Sequence, residues 1–236
     1  MPRWALLAGV LVALQAVAAA PSHGAPAACD RPPGAAAAQA RGSSQLVTVV
    51  AAHRSSTHAT VRLWRRAADG CFVAAAGPWA ARVGGNGVAA SRREGDGTTP
   101  RGVFGIAPLL YGNGPDPGVR YRYYRLACGD WWDEDPSSPT YNRFVQVRCG
   151  VRPSFAGPGT TGLWEEGRAY RYFAVVEFNV DPVVPGRGSG IFIHVDHGRP
   201  TTGCVSLPLN RLVALLRWLR PGLSPLVAIV VRSPGP

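Results

Sequence analysis

Two residues near the carboxyl end of the chain have the types and spacing of a catalytic pair. His194 ends the apolar run at 190–194, and Cys204 follows Gly203 ten positions later, just ahead of an amphipathic stretch. A thiol needs a base in reach, because the thiolate is the nucleophile and an unperturbed thiol is mostly protonated at neutral pH. A glycine beside it permits backbone angles that aim main-chain N–H groups at an oxyanion. The pattern predicts Cys204 as nucleophile and His194 as general base.

The same segment leaves alternatives open. Cys204 also fits a buried free thiol or a disulfide partner, and His194 fits a hydrogen-bonded core histidine. His197 is a competing base, although its place beside Gly198 favours a solvated loop residue. Asp196 is an acid that could orient a histidine, as in a triad. A metal site built from these side chains is disfavoured, because their spacing matches none of the usual zinc patterns.

The elements that must position this pair are mostly strands. Short apolar runs between Gly, Pro and Ser turns predict strands at 46–50, 59–64, 102–106, 173–178, 190–194 and 226–231, and a further strand from residue 71. A helical period at 209–219 places Leu209, Leu212, Val213, Leu216 and Leu219 on one face. With 29 Gly and 22 Pro, the chain favours many short elements, and its length fits one β-rich domain better than two.

The amino terminus has the composition of an export signal. Arg3 precedes an apolar, alanine-rich stretch, and small residues suitable for cleavage follow, after Ala18 or after Ala27. We expect a signal peptide at residues 1–27, a low-complexity linker at 28–43 and a single domain at 44–232. An uncleaved amino-terminal anchor is the alternative. Either arrangement places the remainder of the chain outside the cytoplasm.

Export changes the interpretation of the five cysteines. In an oxidising compartment an even set pairs, and an odd one left over is intermolecular or reactive. Cys128 and Cys149 bracket an aromatic insert, which favours a bridge between them, and Cys29 and Cys71 remain for a second bridge. Four cysteines allow three connectivities, and the sequence does not choose among them. Cys204 is the odd one out.

The charge of the chain indicates its general partners. The net charge of +11 is the difference between 25 arginines and 14 acidic residues, and the chain has no lysine and no basic cluster. Together with export, this distribution argues against nucleic acid and predicts a generic attraction to anionic cell-wall polymers. No run reaches the roughly 18 apolar residues of a membrane helix, so no transmembrane segment is expected after signal cleavage. The glycines at 84–87 lack the Lys-Ser/Thr ending of a phosphate-binding loop.

An insert at 121–135 is dense in aromatic rings and carboxylates. Aromatic faces beside carboxylates suit sugar or peptide binding in a cleft, and a disulfide-bonded loop that covers the core would have the same composition. The adjacent Asp133, Glu134 and Asp135 are not expected to form a glycosidase pair, because loop neighbours rarely have the required separation. We predict a solvated acidic turn there.

Two motifs resemble those of the L,D-transpeptidase (YkuD-like) catalytic domain family. Residues 191–206 resemble its active-site motif, in which a strand-terminal His precedes a Ser/Thr-x-Gly-Cys segment. Residues 97–106 resemble its Thr-Pro-x-Gly-x-Phe-x-Ile motif. The resemblance covers roughly residues 45–231. It implies a mainly β fold, a single β-sandwich or barrel domain with one amphipathic helix after the cysteine, in a secreted, wall-associated enzyme that acts on peptidoglycan stem peptides without a cofactor.

The resemblance also implies roles for individual residues. Cys204 would attack the carbonyl before a D-residue and form a thioester, which an acceptor amine turns into a cross-link and water turns into a carboxypeptidase product. Gly203, Thr202 and Ser206 are the residues expected at the substrate and the oxyanion. Thr202 stands where many members have His, and Ser206 where many have Arg. A silent wall-binding protein that keeps the fold, or a cysteine peptidase outside the family, is the alternative.

Overall fold

A computed structural model describes residues 1, 29, 32–33, 36–40, 42–157 and 160–232, so the predicted signal peptide lies outside the described residues apart from Met1. The strands are β1 Gln45–Ala51, β2 His58–Arg66, β3 Phe72–Arg82, β4 Val88–Ala89, β5 Thr99–Pro100, β6 Gly102–Gly112, β7 Arg122–Arg125, β8 Asp130–Trp132, β9 Phe144–Gln146, β10 Phe173–Val176, β11 Phe192–Val195, β12 Val205–Leu207 and β13 Leu226–Val231. The helices are α1 Ala36–Gln39 and α2 Leu209–Trp218, with 3₁₀ turns at Leu163–Glu165, Ala169–Arg171 and Pro221–Leu223.

The main sheet closes on itself. Its order is β10-β11-β12-β3-β2-β1-β13-β6-β7, and β10 also pairs with β6, with Phe173 opposite Tyr111. The strands from β10 round to β6 therefore form a closed, barrel-like sheet, and β7 lies outside the closure on β6. Closure satisfies strand edges that would otherwise be exposed. The predicted mainly β fold is confirmed.

One face of the sheet packs against an aliphatic core that includes α2. Inward-facing valines, leucines and isoleucines from the strands meet the fully buried Leu212, Leu215 and Leu216 of the helix. The helix lies where the apolar period predicted it, but its buried face is rotated. Leu209 and Val213 are only half-buried, because they line a surface groove instead of the core. Among the described helices, none is long and apolar enough to span a membrane.

Two disulfides join parts of the chain that are distant in sequence. Cys128 and Cys149 close the aromatic insert, with 5.0 Å between their Cα atoms, which confirms the pairing that the sequence favoured. Cys29 and Cys71 form the second bridge, with a Cα–Cα distance of 5.4 Å. Cys204 is free and buried.

The turn of helix before β1 packs on the domain. Ala36 and Ala40 are buried against Trp64 and Phe72. The guanidinium of Arg66 donates hydrogen bonds of 2.8 Å to the carbonyl oxygens of Ser43 and Ala40. The end of the segment predicted as a linker therefore contributes to the packing of the first strands.

Candidate active site

Strand register places the predicted nucleophile and base on one face of the sheet. β11 and β12 run parallel, with Ile193 beside Val205, so Cys204 lies beside Phe192 at the start of β12. Side chains alternate between the faces of a strand, and Phe192, His194 and Cys204 therefore share a face. The N–H of Phe192 donates to Cys204 Sγ over 3.3 Å.

The thiol also has a main-chain acceptor. Cys204 Sγ donates to the carbonyl oxygen of Gly190 over 3.3 Å. Two backbone groups that frame the start of β11 therefore hold the sulfur, one as donor and one as acceptor. This arrangement fixes the side chain without a disulfide.

The imidazole of His194 is held in one tautomer. Its Nδ1 lies 2.9 Å from the carbonyl oxygen of Val195. A carbonyl oxygen only accepts, so Nδ1 carries the proton and Nε2 keeps its lone pair. The ring of Tyr170 meets the imidazole edge-on, with 5.6 Å between ring centroids. His194 thus has the free nitrogen that a general base requires.

Cys204 and His194 line one cavity of about 710 Å³. The aromatic insert contributes Trp132 and Glu134 to its walls, and the segment with the two 3₁₀ turns at 163–171 contributes Tyr170 and Glu166. The turn before the cysteine contributes Pro200, Thr201 and Thr202. Aromatic rings, carboxylates and hydroxyls therefore surround the thiol on several sides.

Burial keeps both members of the pair uncharged. It lowers the pKa of His194 to about 4 and raises the pKa of Cys204 to about 12, despite the hydrogen bond that Phe192 donates to the sulfur. Burial disfavours the charged form of each group. At neutral pH the resting site therefore holds a thiol and a neutral imidazole, and no thiolate–imidazolium pair is formed in advance.

The other predicted site residues differ in their exposure and in whether they line the cavity. Thr202 is exposed and lines the cavity. Gly203 has a φ of 145°, and its N–H donates to Thr201 Oγ1 over 3.2 Å. Ser206 is fully buried, does not line the cavity, and donates to Asp196 Oδ1 over 3.4 Å.

The competing base and the candidate orienting acid lie at the edge of the site. His197 is exposed and stacks on His194, with 6.0 Å between ring centroids. Asp196 pairs with Arg82, Nε to Oδ1, over 3.4 Å. The group that orients His194 is thus a main-chain carbonyl, and Asp196 makes its ion pair with β3.

The predicted solvated acidic turn is wrong for Asp133, whereas Glu134 is exposed and Asp135 is partly exposed. Asp133 is fully buried and accepts hydrogen bonds from the Thr140 hydroxyl at 2.6 Å and the Asp135 N–H at 2.9 Å. The preceding Trp131 is buried as well. This tryptophan was the available signal, because a turn next to a buried ring is not fully solvated.

Glu134 is the functional-site residue that sequence reasoning missed. Its side chain is exposed toward the cavity, yet its Oε1 lies close to the α carbon of Gly190. Partial desolvation, together with the negative charges of Glu94 and Glu166, raises the pKa of Glu134 to about 7. A carboxyl group that titrates near neutrality therefore lies in the wall of the cavity.

The amide side chain of Asn142 joins the aromatic insert to Gly190, whose carbonyl oxygen accepts the hydrogen bond from the thiol. Asn142 Oδ1 accepts hydrogen bonds from Trp132 Nε1 at 3.1 Å and from the Gly190 N–H at 3.0 Å. Its Nδ2 donates to the carbonyl oxygens of Phe178 and Asn179. The disulfide-closed insert thus fixes the position of Gly190, just before β11, and the thiol of Cys204 donates to the carbonyl oxygen of that residue.

Comparison with known proteins gives one match. A family model described as the L,D-transpeptidase catalytic domain (YkuD) matches residues 52–229, about three quarters of the chain. No curated protein and no solved structure matches the chain. The matched range contains His194, Cys204 and every strand of the closed sheet except β1 and the last two residues of β13. The chain therefore belongs to the L,D-transpeptidase catalytic domain family.

Proposed function

We propose that the protein is an exported enzyme that transfers acyl groups of peptidoglycan stem peptides through a thioester on Cys204. The observation that carries this proposal is the geometry of the pair. A free thiol and an imidazole with an available Nε2 lie on one sheet face and line one cavity. Membership of the family supports the substrate class.

The first half of the reaction forms the thioester. Cys204 Sγ attacks the carbonyl carbon before a D-residue as His194 Nε2 accepts the thiol proton. Because both groups are neutral at rest, proton transfer accompanies the attack. The imidazolium then gives the proton to the departing amine of the D-residue, and the carbon–nitrogen bond breaks.

The second half regenerates the thiol. An acceptor amine, or water, attacks the thioester carbonyl, and His194 removes one proton from it. The carbon–sulfur bond breaks, and the imidazolium returns the proton to sulfur. An amine acceptor gives a cross-link, and water gives a carboxypeptidase product.

Thr202 and Gly203 are assigned to the substrate and the oxyanion. The φ of 145° at Gly203 is rare for residues with a side chain, and it sets the direction of the main chain at Cys204. Thr202 is exposed to the cavity and reaches substrate directly. Ser206 is left out of the proposed contacts, because its hydroxyl is buried and directed to Asp196.

An extracytoplasmic location is part of this proposal. The disulfides Cys29–Cys71 and Cys128–Cys149 require an oxidising compartment. Peptidoglycan lies outside the cytoplasm, and the apolar stretch at 5–20 has the composition of an export signal. Anionic wall polymers are expected to attract the basic chain without specificity.

The test is intact-mass labelling of the unreduced protein with a carbapenem, which acylates enzymes of this family. Wild type should gain one stable adduct, Cys204→Ala none, and His194→Ala the same adduct at least about 100-fold more slowly. His53→Ala is the matched control, because His53 is exposed and remote from the cavity. Absence of an adduct on folded wild type would favour the silent wall-binding alternative.

A further inference from the structure

A buried arginine lies beneath the turn that carries the nucleophile. Arg92 follows β4 and has only 7% of its surface exposed. Its guanidinium packs so closely on the α carbons of Gly188 and Gly203 that neither position has room for a Cβ atom. A side chain at either position would have to displace the guanidinium, and both positions also have a positive φ that favours glycine.

No carboxylate among the described residues forms an ion pair with this arginine, although its charge contributes to lowering the pKa of Asp96 and opposes the rise in the pKa of Glu134. Nη1 donates to the Thr98 carbonyl oxygen over 2.6 Å, and Nε has no hydrogen-bond partner among the described residues. Burying an unpaired cation is costly, and an orphaned buried donor in a native fold calls for an explanation.

The arginine lies close enough to the thiol to act on it. It lowers the pKa of Cys204, against the effects of burial and of the carboxylates Glu134 and Glu166. It also opposes the rise in the pKa of Glu134, so its charge acts on a residue in the cavity wall as well. The charged and titratable groups that face the thiol from the surrounding segments are His194, His197, Arg199, Tyr170, Glu134 and Glu166.

The guanidinium that packs on Gly203 comes from a distant part of the sequence. Ser206, two positions after Cys204, is directed to Asp196 and supplies no positive charge. In this chain the guanidinium next to the Gly-Cys turn comes instead from the segment between β4 and β5.

We propose that Arg92 is a positioning residue for the thiol chemistry: its buried guanidinium holds the Gly203–Cys204 turn and supplies the positive potential that favours negative charge on the sulfur and the oxyanion. The oxyanion part rests on the proposed function. The thiol part does not, because it concerns the resting residue alone.

The test compares two alkylating reagents on Cys204, neutral iodoacetamide and anionic iodoacetate, followed by intact mass at pH 7–9. Arg92→Gln should slow iodoacetamide about tenfold, because the thiolate fraction falls tenfold for each unit by which the pKa rises. It should slow iodoacetate by a further factor of about three or more, because the positive guanidinium that attracts this anionic reagent is gone. Arg92→Lys should keep the wild-type ratio of the two rates. Arg93→Gln, at the exposed neighbouring arginine, is the matched control.

The ratio of the two rates separates charge from packing. If Arg92→Gln slows both reagents equally, or neither, the electrostatic proposal is overturned. Arg92→Met is the second neutral variant, and failure of both to fold would also overturn it, because folding alone would then explain the residue. Wild type that is alkylated but never acylated by a carbapenem would refute the proposed function and the oxyanion part of this inference, and would leave the thiol part intact.

Discussion

The two clusters buried on opposite faces of β10 differ in chemistry. On β10, Ala174 and Val176 face the aliphatic core, whereas Phe173 and Val175 face an aromatic cluster. The aliphatic core contains valines, leucines and isoleucines and is covered by α2. The aromatic cluster contains Cys204 and is covered by the disulfide-closed insert.

The two faces of the sheet have different roles: one provides a stable apolar core, and the other surrounds the reactive site. Aliphatic side chains offer burial and no polar group, which suits a core. The aromatic face holds rings in edge contacts, such as Tyr170 with Phe192 at 5.7 Å, and its cavity has carboxylates in the wall. Side chains alternate between the two faces of a strand, so neighbouring residues of β10 contribute in turn to the aliphatic core and to the aromatic cluster around the cysteine.

The largest expected effect comes from the aliphatic face. Leu216→Ala removes a fully buried side chain and should lower the free energy of unfolding by about 2–5 kcal/mol, through lost transfer energy and the remaining cavity. Carbapenem acylation well below the melting temperature should stay within about twofold of wild type. Urea denaturation and intact mass measure the two quantities.

A variant on the aromatic face should lose acylation rate and keep most of its stability. Phe192→Leu keeps most of the volume and should cost less than about 1.5 kcal/mol. It should nevertheless slow acylation, because the side chain of Phe192 lines the cavity that contains Cys204. Equal effects of both variants on acylation would contradict the division between the two faces.

A pH-dependent effect of intermediate size should come from His194. Its native pKa is about 4, whereas an unfolded histidine takes up a proton near pH 6.5. Between these values only the unfolded state gains the proton, so the contribution of His194 to stability should fall by on the order of 3 kcal/mol as pH falls from 6.5 to 4. The difference in free energy of unfolding between wild type and His194→Gln, measured with urea across this window, should show this slope. Parallel curves would mean that the imidazole is not buried in its neutral form.

The smallest effect is expected at Glu134. Its native pKa of about 7 exceeds that of an unfolded glutamate, so the unfolded state loses its proton first as pH rises from 4.5 to 7. Wild type should therefore lose stability relative to Glu134→Gln across this window. Asp181→Asn, at an exposed carboxylate, is the control. A constant difference between wild type and Glu134→Gln would show that the cavity wall does not perturb the carboxyl.

The sequence predicted correctly those elements of the fold that depend on residues close together in the chain. The strands at 46–50 and 226–231, the helix after Cys204 and the Cys128–Cys149 bridge agree with the structure. Closure through β10 and β6 could not be predicted, because it depends on pairing between residues about 60 positions apart. Short strands such as β12 have too few residues for a recognisable period.

The same limit explains which site residues were missed. His194 and Cys204 lie ten positions apart in one motif, so sequence could pair them. Arg92 and Glu134 reach the same place only because Gly203 and Gly190 leave room for them. Such contacts depend on tertiary packing, which a local sequence pattern does not encode.

The uncharged state of the thiol has a consequence for its durability. Peroxides, disulfides and metal ions react with thiolate far faster than with thiol. With its pKa raised to about 12 by burial, Cys204 holds a very small thiolate fraction at neutral pH. The one free cysteine of the described chain is thereby protected from oxidation and mixed-disulfide formation in the same oxidising surroundings that the other four cysteines need for their bridges.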